Sequence, residues 1–142
     1  MAQSYKTIHD FQFLNLAQSS LNVIPAGTNL ILDNKQGGDV VVLNATAGSV
    51  VNLPSPAPGL SYAFIVKATG GHTVAAPSAS IYGSICCSNT NTASSILTTG
   101  SAKTVISTTS GSSVGDSFTL TSDGTNYYVK GAVANYNALK FI

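Results

Sequence analysis

Few residues in this chain are able to do chemistry. Its 142 residues include two histidines, His9 and His72, one adjacent thiol pair, Cys86 and Cys87, and five aspartates; glutamate and arginine are absent. Serine and threonine abound, but a serine nucleophile needs a base held in place by a carboxylate. No Gly-x-Ser-x-Gly elbow occurs, and His72, which follows Gly70-Gly71, is expected to be a turn histidine facing solvent. Glycoside hydrolysis through paired carboxylates uses an acid of raised pKa, often Glu, a residue type missing here. Two distant histidines and neighbouring cysteines make a poor tetrahedral set, so no metal is expected. Asp116 and Asp123-Gly124-Thr125-Asn126 superficially suggest calcium. Their carboxylates do not stand at the alternate positions a calcium loop uses, and turn chemistry accounts for Asp123. Gly37-Gly38 and Gly70-Gly71 lead into strand-like runs rather than helices, so neither builds a phosphate cradle. The sequence thus predicts no catalytic residue, no metal and no cofactor, and a protein that acts by contact.

Aromatic residues are then the candidates for contact. Tyr127 and Tyr128 are consecutive, so in a strand they face opposite sides of the sheet. One is expected in the core and the other as an exposed anchor, because tyrosine combines a large contact area with a polar tip. The alternative is that the outer ring covers a seam of its own sheet. Tyr136 in the C-terminal tail, and Tyr5, Phe11 and Phe13 near the N-terminus, complete the set of candidate partner-binding residues. Sugar binding through such a tyrosine together with the polar loop 88–95 is a second use of the same residue types.

Strands must position these side chains. Ser117-Phe118-Thr119-Leu120-Thr121 and Asn126-Tyr127-Tyr128-Val129-Lys130 flank Asp123-Gly124, the strongest short-range hairpin signal. Upstream, short runs rich in β-branched residues alternate with turns: 21–24, 29–33, 39–44, 49–53, 60–67, 72–76, 80–87, 95–98 and 104–107. The segment Pro54-Ser55-Pro56-Ala57-Pro58-Gly59 reads as a rigid loop, each proline lacking a ladder donor. Pro54, Gly59, Gly83, Asp123 and Gly124 are expected to be turn or structural residues. In residues 1–20, Phe11, Phe13 and Asn15 alternate with Gln12, Leu14 and Leu16. This reads as an extended arm or edge strand, with a short helix over 7–18 as the competing pattern. The arm either tethers a neighbouring subunit or closes the sheet's own edge.

Turn signals every 8–12 residues mark a sandwich or barrel rather than a βαβ fold. We expect an all-β antiparallel β-sandwich over 21–142, jelly-roll-like, with an N-terminal arm over 1–20. Composition agrees. Charged residues are 8% against roughly 25% in an average soluble domain, and long helices usually carry Glu, Lys and Arg on their wet face. With a net charge of +1 and no arginine, sequence-specific nucleic-acid binding is not expected. No apolar run reaches the length of a membrane span, so no membrane role is expected. The adjacent cysteines, with Cα atoms about 3.8 Å apart, are closer than the usual disulfide span; one should point inward and one outward.

Several motifs fall in a familiar order. Asn52-Leu53-Pro54, Gly59, Tyr62-x-Phe64-x-Val66, Ile81-x-Gly83, Gly115-Asp116 and Leu120-Thr121-Ser122-Asp123-Gly124-Thr125-Asn126-Tyr127-Tyr128-Val129-x-Gly131 follow one another across 28–131. Together they resemble small β-sandwich virion proteins of tailed phages and large DNA viruses. Tyr127 departs from that pattern, which often has Trp there. The resemblance implies a capsid decoration (cement) or minor capsid protein, homotrimeric, bound to the major capsid protein or other virion proteins. It implies localisation to the capsid surface after synthesis in the host cytoplasm. The alternative it implies is the receptor-binding head of a fibre or spike recognising a host glycan.

Overall fold

A computed structural model describes residues 22–88, 96–98 and 102–142. The arm, with Tyr5, Phe11 and Phe13, and most of the polar loop 88–95 lie outside the described residues. Among the described residues there are twelve strands: β1 (Val23–Pro25), β2 (Asn29–Ile31), β3 (Val40–Leu43), β4 (Val50–Asn52), β5 (Pro58–Val66), β6 (Thr73–Ala75), β7 (Ile81–Cys87), β8 (Ile96–Thr98), β9 (Val105–Thr108), β10 (Ser117–Asp123), β11 (Tyr127–Val133) and β12 (Leu139–Phe141). They form a larger sheet in the order β1-β3-β5-β10-β11-β7-β8 and a smaller one in the order β12-β9-β6-β4-β2. The all-β, two-sheet sandwich is as the sequence predicts.

Strand direction is the difference. The first six strands cross from one sheet to the other at every step, so each sheet receives alternate strands. A strand that returns to its sheet after two crossings enters from the same end and lies parallel to its predecessor. Accordingly β1, β3 and β5 are mutually parallel, as are β2, β4 and β6. The first half of the domain is therefore a stack of three coils, not an antiparallel meander. In the second half the β10–β11 hairpin is antiparallel and lies between β5 and β7. Strand β7 runs parallel to β11; in the smaller sheet β9 pairs antiparallel with β6, and β12 pairs antiparallel with β9.

Alternation explains the core. In β3, Val41 and Leu43 are buried while Val40 and Val42 are half-buried; in β5, Leu60, Tyr62, Phe64 and Val66 face inward. Val51, Val74, Ile106 and Leu139 meet them from the smaller sheet. Phe64 stacks on Phe118 of β10 with centroids 5.0 Å apart. Each fully buried aliphatic or aromatic side chain contributes about 1.5–3 kcal/mol of transfer free energy. The buried tyrosines satisfy their hydroxyls at loop carbonyls: Tyr62 donates to Asp33 O at 2.8 Å and Tyr127 to Pro54 O at 3.0 Å. Burial pushes the Tyr62 phenol up to about 12. The turn at 34–38 opens with a short 3-10 segment capped by Asp33, whose carboxylate accepts from Lys35 N while Gln36 accepts from Asp33 N. Cys87 is buried and Cys86 exposed, as strand parity predicts.

His72 corrects an expectation. It is fully buried rather than solvated. The Gly70-Gly71 turn ends one residue earlier than its polarity suggests, and His72 has the parity of Val74 and Ala76, whose side chains face the core.

Candidate functional site

The hairpin tip is built on Asp123. One carboxylate oxygen accepts from both Thr125 N and Asn126 N at 2.8 Å, and the other accepts from the Tyr128 hydroxyl at 2.9 Å. Gly124, at φ +101°, donates to the Ser122 hydroxyl at 3.1 Å. Asp123 and Gly124 are thus turn residues, as the sequence indicates. The hydrogen bonds from Asn126, Thr125 and Tyr128 hold the Asp123 carboxyl below the usual carboxylate range. The same bond to Asp123 raises the Tyr128 phenol. A depressed carboxyl adds stability above its unfolded value, near pH 4, and loses it as pH falls through the folded value. Asp123→Asn is therefore expected to flatten the pH dependence of the unfolding midpoint below about pH 4. Thermal melts of both proteins between neutral and acidic pH check this.

Tyr127 is buried and Tyr128 is 45% exposed. The parallel register sets Tyr82 of β7 beside Tyr128, with ring centroids 6.3 Å apart and planes tilted by 31°. Thr121 lies on the other side of Tyr128, and its hydroxyl is 3.3 Å from that of Ser61. Tyr82 was not singled out by sequence reasoning. Its only local signal is outward parity next to buried Ile81, and its neighbour in space is 46 positions away in the chain. Tyr136 is exposed but sits in the turn after β11, beyond the other end of a strand about 20 Å long. It does not join the tyrosine pair.

Two further rows continue this outer face. One runs Val23, Val40, Ala63, Thr119, Lys130, Ser84 and the next Pro25, Val42, Ile65, Ser117, Ala132, Cys86. All are exposed or half-exposed, and Lys130 is the only charged side chain among them. The face consequently carries little charge and is rich in β-branched and small residues, with the Tyr82–Tyr128 pair at one end.

Other polar groups are spent on structure. Asp116, one of the two calcium candidates, accepts from Ser113 N at 2.8 Å and Ala134 N at 2.7 Å, tying the loop before β10 to the end of β11. Among the described residues no group of three His, Cys, Asp or Glu side chains is placed to hold a metal ion. Gly59, at φ +82°, is the second residue of β5 rather than part of the loop expected over 54–59, because the strand already starts at Pro58, paired with Asp123; the Pro54 carbonyl receives Tyr127. A scan against protein-family models finds no match. Searches of curated proteins and of solved structures return no relative either.

Proposed function

We infer that this protein is a non-enzymatic structural component of a virion, a capsid decoration (cement) or minor capsid protein that stabilises the shell by binding between its subunits. The observation that carries the reading is the outer face of the larger sheet. A continuous exposed face with one charge and many β-branched residues has little to gain from water, and such patches favour association with another protein. The order of the Leu53-Pro54, Tyr62/Phe64, Ile81-x-Gly83 and Asp123-Gly124 motifs supplies the virion context. The homotrimeric state follows from that resemblance, and many modest contacts per shell would sum through multivalency. The partners are the major capsid protein or other virion proteins, and the site of action is the capsid surface.

Val42 and Ile65 are register neighbours near the middle of this face. Changing both to Asp is expected to weaken binding to purified shells lacking the protein at least about tenfold, since a buried unpaired charge costs several kcal/mol. Thermal melts establish that the variant is folded at the temperature of the binding assay, because Val42 is half-buried and the two new carboxylates are register neighbours. Undiminished shell binding by this folded variant would overturn the role of the face.

The Tyr82–Tyr128 pair favours one other reading: the receptor-binding head of a fibre or spike, with the two rings stacking on a host-surface glycan beside Asp123. A glycan array with Tyr82→Ala and Tyr128→Ala controls separates the two. Selective glycan binding without shell affinity favours the fibre reading.

A further inference from the structure

Tyr82 and Tyr128 are held side by side by the backbone. The parallel register of β7 and β11 runs unbroken from Ile81↔Tyr127 to Cys87↔Val133 and makes the two tyrosines direct partners. Neighbouring strands lie about 4.8 Å apart, and the two ring centroids are 6.3 Å apart. Both rings meet solvent, Tyr82 at 36% and Tyr128 at 45% exposure. A reagent in solution therefore reaches them, and rotation about their side-chain torsions brings ring edge to ring edge.

One of the two phenols also has a base in place. The Tyr128 hydroxyl donates to Asp123 Oδ2 at 2.9 Å. Removing an electron from a phenol makes its O–H a strong acid, and a carboxylate already in the hydrogen bond takes that proton without a diffusive step. The bond raises the Tyr128 phenol, so the proton stays until the electron leaves. Asp123 is fixed in position because its other oxygen accepts from Thr125 N and Asn126 N. The inner tyrosines differ on both counts. Tyr62 and Tyr127 are fully buried, and their hydroxyls donate to the backbone carbonyls of Asp33 and Pro54. Tyr136 is exposed but stands beyond the far end of β11.

We propose that Tyr82 and Tyr128 are a site of oxidative coupling, at which a dityrosine bridge joins β7 to β11 within one chain. The oxidant is a haem peroxidase acting with hydrogen peroxide. Each phenol gives up one electron and one proton; the Tyr128 proton passes to Asp123 and the Tyr82 proton to water. The unpaired spin of a phenoxyl is shared among its oxygen and the ring carbons ortho and para to it, and the para carbon is blocked by Cβ. One ortho carbon of each ring therefore forms the new C–C bond. Each of those carbons then loses its hydrogen as a proton, and each oxygen regains one. In sum, two C–H bonds give way to one C–C bond, and the two electrons and two protons released reduce hydrogen peroxide to two waters. The register supplies the proximity that a bimolecular coupling lacks. The bridge closes a loop of 46 positions and removes that freedom from the unfolded chain. The coupling uses only groups within one chain and does not rest on the virion assignment.

Treating dilute full-length protein with a haem peroxidase and hydrogen peroxide tests it. The product is reduced, sized, digested and read by mass spectrometry. The expected product is a single chain with dityrosine fluorescence, in which the peptides holding Tyr82 and Tyr128 are joined with the loss of two hydrogens. Tyr82→Phe and Tyr128→Phe keep the rings and should each abolish this bridge, with thermal melts checking that both variants fold. Asp123→Asn keeps an oxygen for the turn amides and should slow the coupling at least about tenfold. An unbridged parent, a bridge formed only between chains and lost on dilution, or a bridge that survives in Tyr128→Phe would each overturn the site. An unchanged rate in Asp123→Asn would overturn the carboxylate's part in it.

Discussion

Replacing Gly83 with Ala is expected to cost about 3 kcal/mol or more of folding stability, lowering the unfolding midpoint by roughly 10 °C. Gly83 lies at φ +131°, a conformation L side chains rarely adopt, and a methyl group there would collide with the backbone of Val129, its carbonyl oxygen first. Val129 cannot yield cheaply. It sits in β11 between β10 and β7, paired with Leu120 on one side and Gly83 on the other. Moving it would disturb the two ladders that hold the tyrosine pair. Gly83 takes an inward-parity position of β7 but is itself exposed, so 82–84 are all exposed between buried Ile81 and Ile85 while the register with β11 stays unbroken. Tyr82 is aimed beside Tyr128 from this point. Urea or thermal unfolding of Gly83→Ala measures the loss, and a change under about 0.5 kcal/mol would mean that β7 relaxes freely at this position.

Gly83 also marks how far the sequence could be read. Its motif suggested a structural residue, but the reason lies in a strand 46 positions later. What was legible was local. The Asp123-Gly124 turn, the split of Tyr127 inward and Tyr128 outward, and the inward faces of β3 and β5 each follow from side-chain period or turn chemistry within a few residues. What was not legible was polarity and partner choice. Val-rich runs such as 40–43 carry the same pattern whether the neighbouring strand runs parallel or antiparallel. The direction is set by the crossing between sheets, which a turn signal does not encode. Tyr82 stayed hidden for the same reason: the pair exists only because β7 and β11 are adjacent. His72 was misread because a Gly-Gly turn and a polar ring both suggest solvent, while the groups that satisfy the ring come from other parts of the chain.

Those groups make His72 the second site of large expected loss. Its ring Nδ1 accepts from Ser49 N at 2.9 Å, and Nε2 lies 2.6 Å from Ala68 O. Because Nδ1 accepts, Nε2 carries the proton and donates to the carbonyl; the network assigns the neutral tautomer. The backbone N–H of His72 donates to the Thr108 hydroxyl at 2.7 Å, which donates in turn to Gly70 O at 2.7 Å. Through its ring and its backbone N–H, His72 thus links the turn before β4, the turn before β6 and the end of β9, where two coils meet so closely that a methyl on Gly48 would sit 2.6 Å from Gly71 O. His72→Leu keeps most of the volume but strands a buried N–H at Ser49 and a part-buried C=O at Ala68. It is expected to cost about 2–4 kcal/mol, since each orphaned buried group loses about 1–3. His72→Asn should cost less, because its side-chain oxygen can take over the bond from Ser49 N. Thr108→Val leaves the His72 N–H only its 3.0 Å bond to Gly70 O and removes the hydroxyl's own bond to that carbonyl. Combined with His72→Leu it should depart from additivity by at least about 0.5 kcal/mol, as expected for one shared network. Urea unfolding of the three single variants and the double variant checks the ranking. A His72→Leu protein as stable as the parent would show that the coils are held by apolar packing alone.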